Sequence, residues 1–278
     1  MSNPILTSEQ VLNYHRDGFL IIRQYINPNE VNKLYETAIN DAAVRQNAIN
    51  VNDSNGKSSK LSLWYKPGND IYGLLTRSHR MVTATDQLLD GSSAVCHYHS
   101  KLMQKEPRVG GAWEWHQDYG YWYKNEFLFP DQMLSIMIAI TDANKENGCL
   151  QVIKGSHKMG RVEHGFSGEQ VGASQKYVSL ALQVMEHVFV ELKAGDALFF
   201  HSNLLHRSEA NLSDFARWSL ISCYNRQSNF GYNESSSNSS STTPIETVPD
   251  DAILTWEAAG LDVNHSDFLS KEADVSLK

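Results

Sequence analysis

The pattern of apolar and polar positions changes character near residue 93. Before it the chain reads mostly as helix. Thr7-Ser8-Glu9-Gln10 has the spacing of a capping box, and predicts a helix that stops near Gly18. FLIIRQYI is then a short buried strand, and PNEVNKLYETAINDAAV an amphipathic helix opened by Pro28. NDSNGKSS, at 52–59, reads as a polar loop. After residue 93 short strands dominate: SAVCHYHSKLMQ, MLSIMIAITDA, GCLQVIKG, HVFVELKAGDALFFH and RWSLISCYN. Each is apolar or alternating and is bounded by Gly, Asn, Asp or Pro. Helices first and antiparallel-looking strands later predict a mainly β fold with flanking helices, a double-sheet barrel or cupin-like jelly roll.

No internal repeat and no linker divides the chain. The expected organisation is one domain over 1–278, with a helical part at about 1–92, a barrel core at about 93–226, and a C-terminal loop and tail at 227–278. The polar segment at about 156–177 is expected to be a long loop over the barrel mouth. SSSNSSSTTP at 235–244 reads as a mobile surface loop.

Composition narrows the function classes. A formal net charge of −8 argues against a nucleic-acid surface. There is no apolar run long enough to span a membrane, and MSNPILTSEQ lacks the features of a signal peptide. Cys96, Cys149 and Cys223 are far apart and odd in number, which fits buried thiols in a reducing compartment better than a disulfide framework. A cytoplasmic protein acting on a small molecule is the expectation.

The chemistry turns on His-X-Asp, which occurs three times: His15–Asp17, His116–Asp118 and His265–Asp267. The first lies in a predicted helix, where residues two apart point in different directions. The third sits in the polar tail with no histidine after it. The middle pair follows a strand, and on an extended backbone residues two apart share a face. His206, at the end of AGDALFFHSNLLH, offers a third ligand. Two histidines and one carboxylate on one side of a metal leave the other side open, the facial triad of non-haem iron(II) oxygenases. Arg217, eleven residues past His206, opens a buried strand. An always-charged, bidentate guanidinium suits the far carboxylate of a 2-oxoglutarate co-substrate. The pair His97 and His99 reads as core histidines and not as a second metal site, since no acid or cysteine completes one. The aromatic run around WHQDYGYWY either lines a pocket or packs the barrel's outside.

The segments KLMQKEPRVGGAWEWHQD, ENGCLQVIKGSH and FFHSNLLHRSEANLSDFARWSLISCYN together resemble the phytanoyl-CoA dioxygenase family of iron(II)/2-oxoglutarate-dependent oxygenases, over about residues 60–225. The resemblance implies a double-stranded β-helix with Fe(II) held by His116, Asp118 and His206. It implies that Arg217 binds 2-oxoglutarate with help from Ser208, that Lys101 and Lys60 approach the co-substrate, and that Met137 lines the same cavity. Strand alternation independently puts His97, His99, Lys101 and Met103 on one face. The implied reaction uses O2 to hydroxylate a C–H bond of a small molecule, releasing succinate and CO2. The retained carboxylate favours hydroxylation over halogenation. A catalytically idle metabolite-binding relative, or a cupin-type metalloenzyme without 2-oxoglutarate, are the rival readings. In the same motifs NGCL is expected to form a hairpin turn with Asn147 and Gly148 left-handed, and His157 to serve a turn.

Overall fold

The Thr7 side chain accepts from the Gln10 backbone N–H at 3.2 Å, while the Gln10 side chain accepts from the Thr7 N–H at 2.8 Å. That reciprocal cap opens α1 (Ser8–Asp17), and left-handed Gly18 (φ 82°) closes it and leads into β1 (Phe19–Ile22). Asn27 and Glu30 form a second capping box for α2 (Pro28–Asn40). In this computed structural model the described residues are 4–125, 129–167, 170–230 and 241–257. The rest of the tail, including His265–Asp267 and most of the serine-rich stretch read at 235–244, lies outside them.

The chain continues through α3 (Ala42–Gln46), β2 (Ile49–Asn52), β3 (Ser58–Trp64), α4 (Ile71–Thr76) and α5 (His79–Leu88). Then come β4 (Val95–Lys105), β5 (Trp113–His116), α6 (Asp118–Trp122), β6 (Met133–Ala139) and β7 (Leu150–Ile153). After these follow β8 (His164–Ser167), β9 (Gln170–Ala173), α7 (Gln175–Val184), β10 (His187–Val190), β11 (Ala197–His201), β12 (His206–Ser208), β13 (Arg217–Arg226) and α8 (Ala252–Thr255). Seven strands form one antiparallel sheet, ordered β1-β11-β6-β13-β4-β3-β2, and four form a second, ordered β10-β7-β12-β5. The arrangement is the predicted jelly roll with helices outside.

Burial explains the continuous apolar run MLSIMIA in β6. Leu134, Ile136 and Ile138 pack with the helices in one core, while Met133, Met137 and Ala139 face the second core between the sheets. The first core also holds Leu34, Leu75, Met81 and Leu88 from the helices. The second draws Leu61 and Leu63 from the large sheet and Leu150 and Val152 from the small one.

Three expectations need correction. Beyond the strand read at FLIIRQYI, the part read as helical also supplies β2 and β3 to the large sheet, because the loop at 52–59 shrinks to a turn. There Asp53 Oδ1 accepts from the N–H groups of Asn55 and Lys57, each at 2.9 Å. The segment read as a loop over 156–177 contains the β8–β9 hairpin and the start of α7. Its fixing contacts are long-range, such as Tyr121 Oη donating to Val171 O at 2.5 Å, so no local periodicity marks it. NGCL is no hairpin turn, since the strands it joins, β6 and β7, lie in different sheets. Only Gly148 is left-handed (φ 76°); buried Asn147 instead exchanges side-chain and backbone hydrogen bonds with Asn144. Among the described residues no helix is long and apolar enough to cross a membrane.

A Cβ at position 148 would stand 2.2 Å from the Glu209 carbonyl oxygen, and the positive φ adds strain. Gly148→Ala is therefore expected to destabilise the fold by about 1–3 kcal/mol. Urea unfolding of the two proteins checks this, and an unchanged midpoint contradicts it.

Candidate active site

Strand β5 pairs with β12 in a register that sets His116 directly opposite His206, with ring centroids 4.1 Å apart. Each imidazole is aimed by the same local device. Nδ1–H donates to the carbonyl two residues back, to Glu114 at 2.7 Å for His116 and to Leu204 at 2.9 Å for His206. This fixes the tautomer and leaves the Nε2 lone pair facing inward. Burial, reinforced by His206, holds His116 well below the ordinary histidine range, and burial lowers His206 as well, so both stay neutral.

Gln117 extends the strand by one residue (φ −111°, ψ 135°), and α6 starts at Asp118. The fully buried Gln117 side chain clamps this switch from strand to helix. Its amide donates to Gly160 O and Asn203 O at 2.8 and 2.7 Å, and its oxygen accepts from Val162 N–H at 2.8 Å. Asp118 Oδ1 then lies 3.8 Å from His206 Nε2. One ligand atom from each of His116, Asp118 and His206 falls within 4.8 Å of the others, all buried. The other carboxylate oxygen accepts from Ser135 Oγ at 2.7 Å, and Cys223 Sγ lies 3.2 Å from that hydroxyl. Burial pushes Asp118 towards neutrality, but Lys101 Nζ at 3.7 Å, helped by the Ser135 hydrogen bond, outweighs it and keeps the carboxylate charged. Two neutral imidazole nitrogens and one carboxylate oxygen are a donor set suited to iron(II).

These groups open into a cavity of about 750 Å³, mouth included. It is lined by Leu61 and Leu63 from β3, by His99, Lys101 and Met103 from β4, and by Ser208, Arg217 and Ile221 from β12 and β13. Lys101 pairs with Ile221 and Lys105 with Arg217, so Arg217 sits four residues along the ladder from the Lys101 level, roughly 13 Å. Arg217 is buried, its Nε has no partner among the described residues, and its Nη2 lies 3.8 Å from Met137 Sδ. Burial lowers it to about 10, still a cation at neutral pH.

The aromatic run divides between roles. Trp113 from β5 and Tyr121 and Trp122 from α6 line the cavity. The last two stand three and four residues after Asp118, one helical turn on and over the same site. Trp115 packs in a separate core under the Arg207 guanidinium, and Tyr123 is exposed beneath Arg161.

Not every sequence candidate comes to the cavity. Lys60 is exposed, on the opposite face of β3 from its neighbours Leu61 and Leu63. Met137 lies behind Arg217 and is no part of the cavity wall. His97 leaves the face shared by His99, Lys101 and Met103, because the β4–β13 register slips by one residue at Tyr98. Its Nδ1 meets Tyr65 O at 3.0 Å and its Nε2 meets Ser100 Oγ at 2.8 Å, a satisfied core histidine. Residues missed by sequence reasoning are Ser135, Gln117 and Lys105. Only Lys105 had a local signal, as the next position after Lys101 and Met103 in the same alternation.

The comparisons with known proteins bear on this geometry. The family model described as phytanoyl-CoA dioxygenase matches residues 14–219. An ectoine dioxygenase from Bordetella bronchiseptica is 29% identical over 241 residues, covering 81% of this chain and 77% of that protein. An L-proline trans-4-hydroxylase from Streptomyces griseoviridis is 29% identical over 245 residues, covering 82% and 89%. Among solved structures, EctD from S. alaskensis in its apoform superposes with a TM-score of 0.70 at 21% identity, covering 90% of each chain. The same enzyme with 2-oxoglutarate and 5-hydroxyectoine gives 0.68 at 20% identity. The likeness to those structures gives the fold, a double-stranded β-helix. The family match spans most of the chain and contains both WHQD and the His206-to-Arg217 interval, so the protein belongs to the phytanoyl-CoA dioxygenase family of iron(II)/2-oxoglutarate-dependent dioxygenases.

Proposed function

We propose that His116, Asp118 and His206 hold the iron, and that Arg217 with Ser208 receives the far carboxylate of 2-oxoglutarate. The enzyme hydroxylates a C–H bond of a small molecule, and the observation that carries the assignment is Arg217. A buried cation without an ionic partner costs several kcal/mol, and it shares its cavity with a buried two-histidine, one-carboxylate site. A dicarboxylate reaching from the metal along the ladder would supply the missing anion. Bound iron with O2 and 2-oxoglutarate supplies the oxidising power, inserting one oxygen atom into the substrate and placing the other in succinate as CO2 leaves.

The chain's own groups do the rest. The fixed tautomers present neutral nitrogens without a proton to lose, and Ser135 holds Asp118 in the orientation that points Oδ1 inward. Lys101, beside Asp118, meets the reactants at the metal end of the cavity. Trp113, Tyr121, Trp122, Leu61 and Leu63 form a mainly apolar wall that keeps water from the reacting carbon. On that wall His99 Nε2 and Trp113 Nε1 are buried polar atoms without a partner. A compact substrate with an apolar carbon body and one or two polar groups, of the amino-acid type named in the two relatives, matches such a wall. A mass-spectrometric screen of amino acids and cyclic amino-acid derivatives for uptake of one oxygen atom tests this. Succinate formation coupled to none of them would overturn the substrate class.

His116→Ala, Asp118→Ala and His206→Ala are each expected to stay folded and lose iron(II) binding, because the ligands sit on the preformed elements β5, α6 and β12. Ser135→Ala should lower metal affinity by roughly 10- to 100-fold without unfolding the protein. Anaerobic equilibrium dialysis reads both, and wild-type affinity in any ligand variant would remove that residue from the site.

Arg217→Ala should weaken 2-oxoglutarate binding by roughly 30-fold or more, the usual cost of truncating one partner of a buried charge pair. Lysine should restore only part of it, lacking the bidentate fork. A shorter 2-oxo acid without the distal carboxylate should gain relative to 2-oxoglutarate. An unchanged preference in the alanine variant would sink the assignment.

A further inference from the structure

Lys105 is among the largest fully buried side chains of the protein, yet no carboxylate pairs with it among the described residues. Its Nζ donates to Ser208 Oγ at 2.8 Å and to the Glu209 carbonyl at 2.5 Å, two neutral acceptors. Across the ladder its register partner is Arg217, a buried cation. The nearby acids are engaged elsewhere. Glu209 pairs with Arg207 Nη2 at 2.5 Å, and the Asp53 oxygens accept backbone N–H groups of Asn55, Lys57 and Ala112. The remaining titratable neighbour, Cys149, is a thiol that burial pushes up to about 11, so it brings no charge. Arg217 and the Lys105 amine thus stand side by side in a dry interior, with no anion between them among the described residues.

Once protonated, Lys105 has donors and no acceptor, so in the complex Ser208 must accept from it and the Ser208 hydroxyl proton remains for another partner. Ser208 and Arg217 both line the cavity, and Lys105 does not. We infer that Lys105 is a positioning residue for the co-substrate: it orients the Ser208 hydroxyl towards the far carboxylate of 2-oxoglutarate, and takes up a proton when that dicarboxylate binds. The inference rests on the proposed role of Arg217 and Ser208 and deepens it.

The electrostatics set the sign. In the free protein burial, and after it Arg217, hold Lys105 well below the ordinary lysine range, against opposing pulls from Glu209 and Asp53. A bound carboxylate beside Ser208 and Arg217 favours the ammonium form and raises that pKa. Affinity for 2-oxoglutarate is then full below the free-state pKa. It falls as pH rises from there to the bound-state pKa, and within that window each binding event consumes up to one proton.

The test is calorimetric titration of 2-oxoglutarate into anaerobic, manganese(II)-loaded protein, where binding occurs without turnover. It is repeated in buffers of different ionisation heat at pH values from about 6 to 10. Wild type should show proton uptake over part of that range. Lys105→Met should bind roughly tenfold more weakly, the loss of a charge-assisted hydrogen bond relayed through Ser208, and show no uptake. Lys105→Arg, permanently charged, should also show none. Wild-type binding without uptake at any pH overturns the inference even if both variants fail to fold. So does uptake or wild-type affinity retained in Lys105→Met. Either result leaves the Arg217 reading standing if Arg217→Ala binds weakly, whereas wild type that fails to bind 2-oxoglutarate overturns both.

Discussion

The pairing of β5 with β12 is the constraint on which the site depends. It places His116 and His206, distant in sequence, in ring contact, and no local preference of either segment could do so. Everything near it serves to make that contact tolerable. Two imidazoles and a carboxylate taken out of water each need partners, and each has them. Both histidines donate to the carbonyl two residues back, and Asp118 rests on Ser135. The amide of Gln117 spans from the end of β5 to two other chain segments, so the turn that delivers Asp118 cannot drift.

Charge is distributed unevenly along the cavity. At one level stand neutral imidazoles and an anion, held charged by Lys101. Further along the ladder stand Arg217 and Lys105, buried and without a carboxylate partner among the described residues. A protein tolerates such uncompensated charge only where the surrounding fold is secure. Here two cores surround it, one beneath the helices and one between the sheets. The free protein carries the electrostatic cost, and in the proposed role of Arg217 a dianionic co-substrate would relieve it.

The same local geometry explains how one aromatic run serves several ends. Because the backbone turns from strand to helix at Asp118, periodicity two ends at His116 and a helical turn begins. Trp113 and His116 therefore belong to the strand, and Tyr121 and Trp122 reach the cavity by helical spacing. Trp115, on the other face of β5, packs away from it.

By itself the sequence determined the capping box of α1, the outline of helices before and strands after residue 93, and the residue types of the candidate metal site. These are written in local spacing: Thr7 with Gln10, the apolar run MLSIMIA, and His116 at a strand end two residues before Asp118. Arg217 was legible because an arginine at the head of an apolar strand is a local anomaly. Tertiary structure alone decided which side chains share a space. A one-residue slip at Tyr98 took His97 out of the cavity, the face of β3 turned Lys60 to solvent, and Met137 moved behind Arg217. Ser135 and Lys105 were hidden for the same reason. A serine in a strand and a lysine at its end look ordinary until cross-strand register puts one against Asp118 and the other beside Arg217. Register depends on pairing between distant segments, and no window of the chain contains both partners.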